Sequence, residues 1–301
     1  MAFRKNQFGL VGADPGPSTS DQGHSTGADP GPVLSSDQGH SRGAYPGPLR
    51  SDDQGLQKDE TGATRLRVGS ANVGTLHGRT GEIVEMVGRR HLDVCCLQET
   101  RWKGGNTRTF VVDGARYKLY WSGCDRGLAG VGVMISEKWF EHVVGVSRVN
   151  ERLLSLRLAV GKIILNVVSV YAPQVGRPME EKEEFLAELR KLISGISKDE
   201  ELVVCGDFNS HVGTLADGFE NVHGGRGFGT RNTEGEMLLE FAIATELCVV
   251  NTWFTKEESK KVTYESGGTR TVVDYVLVRR KILSSSEGYE SNSRRSMPYT
   301  T

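Results

Sequence analysis

Eight short runs rich in β-branched and apolar residues restrict the fold of this chain more than any other feature. They lie at 66–71, 93–98, 131–136, 153–160, 163–171, 202–205, 248–251 and 273–278. Runs of this length, bounded by Gly, Asn, Asp and Ser, read as strands. Helical periodicity interrupts them only three times. Residues 179–196 place Phe185, Leu186, Leu189, Leu192, Ile193 and Ile196 on one face, with Glu and Lys opposite. Residues 233–247 open on a capping box from Thr233 to Glu236 and are predicted to bury Leu238, Leu239 and Ile243. A third helix is predicted to start at an N-cap Thr80 and to bury Ile83, Val84 and Val87. Many strands and three scattered helices exclude a regular βαβ alternation and predict an α/β domain with two sheets.

The stretch before this domain is of another kind. Six of the nine prolines lie there, and GADPGP at Gly12 and Gly27 returns as GAYPGP at Gly43. Each copy is followed by SDQG or DDQG, at Ser20, Ser36 and Asp52. A repeat can build a solenoid only if its units bury an apolar face, and these have almost none. Pro-Gly-Pro breaks helix and strand alike. The expected organisation is therefore a tail without regular structure at 1–62, a domain at 63–283 and an irregular C-terminal tail at 284–301. Lys plus Arg total 37 against 38 Asp plus Glu, which argues against a protein that acts through bulk basic charge. The longest mainly apolar stretch, 163–171, carries Asn166 and Ser169 and is half the ~20 residues of a membrane helix, so no membrane association is expected. The first residues lack the apolar core of a secretory signal. Cys95, Cys96, Cys124, Cys205 and Cys248 are odd in number and irregularly spaced, which points to reduced thiols and an intracellular location. The basic triplet at 279–281 is too short to establish a nuclear address.

Several apolar runs end in polar residues that packing alone does not demand. Asn72 closes the first, Glu99 follows the second, and Tyr171 precedes Ala172-Pro173. Asp207 and Asn209 sit just past LVVCG, and Asp274 lies within VVDYVLV, where a bare carboxylate would be costly. Singly, each reads as a solvated loop residue or a cap, and His77 and His211 nearby read as hydrogen-bonded loop histidines. Together they offer a chemistry. One carboxylate can hold Mg²⁺, or Mn²⁺ in its place, and a second can orient or deprotonate water. Amides and a phenol can donate to phosphoryl oxygens. That set suits phosphoester hydrolysis.

In order and separation, SANVGTLHG, LQET, VYAP, GDFNSHVG, LLEFAIATELCVVNTWF and VVDYVLVRR resemble the endonuclease/exonuclease/phosphatase superfamily, which includes DNase I and the apurinic/apyrimidinic endonucleases. The body is similar in particular to endonuclease domains of RTE-type retrotransposons. The resemblance implies a four-layer α/β sandwich, two sheets face to face with helices outside. It implies Glu99 as principal Mg²⁺ ligand, Asn72 supporting metal and phosphate, and Tyr171 contacting the scissile phosphate. It further implies Asp207 activating water, Asn209 stabilising the transition state, Asp274 orienting a catalytic histidine, and DNA as partner. Arg101, Lys103, Arg108 and the 226–231 loop are candidate phosphate contacts. The sequence departs from the family in two places. Gly74 stands where apurinic endonucleases often carry a further acid, and no histidine follows Asp274. The family's final strand, with its Ser-Asp-His, is expected to be missing, leaving an unpaired sheet edge and weak or no activity, with His211 the first substitute base to consider. A non-catalytic binding protein of the same fold and a phosphatase for small phosphoesters are the alternatives.

Overall fold

The computed structural model describes residues 4–11, 65–266 and 268–280. In chain order the elements are β1 (Arg4–Val11), β2 (Arg65–Asn72), α1 (Thr80–Arg89), β3 (Val94–Gln98), β4 (Gly104–Val112), β5 (Ala115–Gly123), β6 (Val131–Ser136) and β7 (Val143–Arg148). There follow β8 (Leu153–Val160), β9 (Ile163–Tyr171), α2 (Met179–Ser194), β10 (Glu201–Asp207), α3 (Thr233–Ala244), β11 (Leu247–Val249), the short α4 (Glu258–Lys261), β12 (Tyr264–Ser266), β13 (Thr269–Thr271) and β14 (Asp274–Arg279).

Two six-stranded sheets result, in the orders β1-β2-β3-β6-β5-β4 and β11-β14-β10-β9-β8-β7. Period-two alternation explains why they stack. On β3, Cys96 faces the other sheet with Val94, while Cys95 and Leu97 face α1. Leu154, Leu156 and Leu158 of β8, with Val203 and Cys205 of β10, meet Val131, Val133 and Ile135 of β6 in the middle layer. The other faces are covered too. Ile83, Val84 and Val87 of α1 close the first sheet. Phe185, Leu189 and Ile193 of α2, with Leu238, Leu239, Phe241 and Ala242 of α3, close the second. The fold is the expected four-layer α/β sandwich.

Four details differ from the sequence reading. Arg79, not Thr80, stands at the N-cap of α1, with no side-chain cap. Asn232, not Thr233, caps α3: its side chain accepts from the Gly235 N–H. Ile243 is 49% exposed, because the α3 stripe that meets the sheet runs through Phe241 and Ala242. Residues 4–11, expected within a structureless leader, instead pair antiparallel with β2 along its whole length, from Arg4 opposite Asn72 to Val11 opposite Arg65. The eleven residues before the first repeat contain no proline, so they can donate a full ladder to a strand edge that would otherwise expose unpaired backbone groups. The rest of the expected N-terminal tail, and the expected irregular tail at 284–301, lie outside the described residues.

Parallel pairing aligns the candidate residues at one edge. β2 and β3 run parallel with Asn72 opposite Gln98, the residue before Glu99. β9 and β10 run parallel with Tyr171 opposite Asp207. Antiparallel β14 enters from the same edge, so Asp274 also lies opposite Asp207. The loop after β10 is then pressed against the start of α3, where a Cβ on Gly235 would stand 1.7 Å from the His211 carbonyl oxygen. Helix propensity alone would make Gly235→Ala stabilising by up to about 1 kcal/mol. Packing reverses the sign. Gly235→Ala is expected to lower the unfolding free energy by about 1–3 kcal/mol, read as a lower urea midpoint at unchanged m-value.

Candidate active site

The two sheets contribute one acid each. Glu99 follows β3 in the left-handed region, at φ 55°, and Asp207 ends β10 fully buried. Between them lies the Asn72 amide. Its Nδ2 donates to Glu99 Oε1 at 2.9 Å and to Asp207 Oδ2 at 2.9 Å, while its Oδ1 accepts from the Gly74 N–H at 3.1 Å. Asn72 thus presents donors to both carboxylates and keeps its acceptor for the backbone.

The other residues complete the floor. The Asn209 N–H donates to Asp207 Oδ1 at 3.0 Å, and its side-chain Nδ2 donates to the Ala172 carbonyl at 2.9 Å. Asn209 also takes a left-handed conformation, φ 46°, which Asn tolerates better than most residues. Tyr171 is buried beside these groups, with the charges of Glu99 and Asp207 close to its phenol. Burial pushes the phenol well above its usual range, and the charges of Glu99 and Asp207 push the same way. Asp274 is buried at the start of β14, next to Asp207 in register. All six sequence-derived residues therefore meet at one end of the inter-sheet seam. His211 is set further along: its N–H donates to Asn232 Oδ1 at 2.9 Å, and its imidazole pKa is lowered by burial and raised less strongly by Glu234.

Three supporting residues escaped the sequence reading. Arg152 places its guanidinium 5.4 Å from the Tyr171 ring centroid and donates to the Tyr171 carbonyl at 3.1 Å. Nothing in the local sequence marks it, since it precedes β8 and acts across the sheet. Gln98 is fully buried in the strand below Glu99; it accepts from Ser70 Oγ at 3.1 Å and donates to Ser169 Oγ at 3.3 Å, tying the two sheets together under the site. A glutamine ending an apolar run was the available signal. Asn232 is the third: one side-chain oxygen accepts from both His211 and Gly235 N–H groups.

Among the described residues no group of three or more His, Cys, Asp and Glu side chains is arranged to hold a metal ion. Mg²⁺ does not require such a group, since it keeps several waters and uses one or two carboxylates. Glu99, a hard oxygen donor whose carboxylate is held by the Asn72 amide, could serve as such a ligand.

The Tyr171 phenol gives a pH signature. Its folded-state pKa is raised, so its stabilising contribution is complete below the unfolded value of about 10 and is lost as pH climbs above it. The buried Tyr275 is shifted upward too, so a second alkaline loss remains when Tyr171 is removed. Tyr171→Phe is expected to lose less stability between pH 8 and pH ~10.5 than the parent chain, in urea midpoints at the two pH values. Equal losses would contradict a protonated phenol held in the floor.

A profile described as "Endonuclease/Exonuclease/phosphatase family" matches residues 69–293. Craniofacial development protein 2 of Bos taurus is 26% identical over 223 residues, covering 72% of this chain and 36% of that protein. The chain therefore spans about a third of the length of this relative. The Xenopus laevis APE2 catalytic domain superposes with TM-score 0.53 at 17% identity, covering 71% of this chain and 82% of that one. An AP endonuclease from Archaeoglobus fulgidus gives 0.52 at 16%, covering 72% and 87%. At such identities these two structures report the fold, whose sheets and helices are those described above. With three quarters of its length matched and the strand-end residues gathered at one edge, the chain belongs to the endonuclease/exonuclease/phosphatase family.

Proposed function

We propose that this domain is a Mg²⁺-dependent phosphodiesterase-type domain that acts on DNA and descends from a retrotransposon endonuclease. The observation that carries the reading is the Asn72 amide shared between Glu99 and Asp207. An amide donating to two carboxylates at once holds both at one point, the arrangement needed by a cation site beside a water-activating acid. Descent is supported by the retrotransposon-like motifs, and a nucleic-acid substrate by a structural relative whose name denotes an AP endonuclease.

Each residue has a chemical part. Glu99 would hold the cation with its carboxylate, and Asn72 fixes the rotamer of that carboxylate. When bound, Mg²⁺ would neutralise charge on the phosphoryl oxygens. Asp207, oriented by the Asn209 N–H and by Asn72, accepts a proton from the attacking water or aligns it. Tyr171, kept protonated, can donate a hydrogen bond toward developing negative charge. Arg152 beneath the ring holds that phenol in place. Within these 301 residues no histidine follows Asp274. A missing acid/base group costs about 10²–10⁴-fold in rate.

Supercoiled plasmid incubated with the 301-residue chain and Mg²⁺ or Mn²⁺ is expected to be nicked slowly, with no nicking in EDTA. Glu99→Ala should abolish what is seen, and appending a family-like final strand bearing Ser-Asp-His should raise it by about 10²-fold or more. Nicking that survives Glu99→Ala would refute the assignment of this site, and fast Glu99-dependent nicking by the parent chain would refute the argument from the missing histidine.

A further inference from the structure

Most of the basic residues that the sequence offers as phosphate contacts are already committed elsewhere. Arg226 donates to the Trp253 carbonyl at 2.8 Å. Arg231 donates to the carbonyls of Val212, Leu215 and Ala216 at 3.1, 2.7 and 2.7 Å. Arg108 lies 5.3 Å from the Phe110 ring centroid. Arg101 is different: its Nη2 donates to Glu99 Oε2 at 3.0 Å, on the carboxylate that carries the proposed chemistry.

The root of Arg101 is fixed while its head is not. The backbone is left-handed, at φ 54°; its N–H donates to the Ala129 carbonyl at 2.9 Å and its carbonyl accepts from His77 Nε2 at 3.0 Å. The preceding Thr100 is held the same way, donating to Gly130 and accepting from Leu76. The side chain, by contrast, is 47% exposed and meets a carboxylate that is only 15% exposed. An arginine anchored at its Cα with half its side chain in solvent can change partner without moving the loop.

We propose that Arg101 is a phosphate-binding residue of this site that Glu99 holds in reserve. The inference rests on the reading of Glu99 as a cation ligand. A guanidinium and a divalent cation on one carboxylate repel each other at close range, so each weakens the other's hold on Glu99. With the cation bound, the guanidinium leaves Oε2 and becomes available to the phosphate backbone of a nucleic acid, to which arginine can donate two parallel hydrogen bonds. Arg101 thus opposes cation binding in the free protein and favours substrate once the cation is present.

The two effects have opposite signs, which a purely structural residue would not produce. Mn²⁺ binding to the full chain is measured by titration calorimetry, with Glu99→Gln as the control. Binding of a short DNA duplex is measured by fluorescence anisotropy in Ca²⁺ over a range of salt. Arg101→Gln is expected to bind Mn²⁺ about two- to fivefold more tightly, the worth of a partly exposed ion pair. The same variant should bind duplex more weakly, with a salt slope shallower by about 0.9, because one phosphate is no longer neutralised. Arg101→Lys should restore the slope but not the full affinity. Unchanged or weaker Mn²⁺ binding in Arg101→Gln, or an unchanged salt slope, overturns the inference alone. Absence of any Glu99-dependent Mn²⁺ binding overturns it together with the proposed function.

Discussion

The side-chain amide of Asn72 decides whether the two halves of the candidate site can coexist. Glu99 arrives on one sheet and Asp207 on the other, and Asn72 Nδ2 touches both. Two carboxylates that meet on one amide repel each other whenever both carry charge. Hydrogen bonds to charged groups contribute about 1.5–3 kcal/mol each, so two of them act against that repulsion. The bond lengths are equal, so the amide also fixes where the sheets stand relative to each other at this edge. Gln98 repeats the device one layer down, joining Ser70 of the first sheet to Ser169 of the second. The seam between the sheets is apolar along most of its length.

Much of this was readable in the residues. Strand ends carry site residues because a strand delivers its last side chain to a fixed edge, and parallel pairing of β2 with β3 and of β9 with β10 keeps the ends level. Polar residues closing apolar runs were therefore a positional signal as well as a chemical one. α1 and α2 followed from their apolar stripes; α2 ends two residues before the expected bound, and Thr80 is the first residue of α1 rather than its cap.

What escaped was governed by non-local geometry. β4 is exposed at nearly every position, so it shows no alternation, although the Asp113-Gly114 turn to β5, with φ 50° and 78°, is the type that two-residue hairpins favour. Arg152 supports Tyr171 from just before β8, where the pairing of Leu153 with Val170 brings it level with the end of β9. The choice of Asn232 over Thr233 as helix cap also turns on tertiary structure, since the same oxygen has to reach the His211 N–H. The strand at 4–11 was hidden by the repeats that follow it, whose composition dominates any window drawn around the N-terminus.

The shared oxygen of Asn232 also ties the site to the way the chain opens and closes. A single acceptor serves the first turn of α3 and the loop carrying Asp207 and Asn209, and the Asn232 N–H returns a bond to the His211 carbonyl. Fraying of that turn removes two anchors of the loop at once, so helix and loop belong to one cooperative unit of local unfolding. The loop cannot reach its working shape until a helix some twenty residues downstream has docked on the sheet. Acidic floor and helical layer are therefore acquired together during folding, and a partly folded chain would present neither.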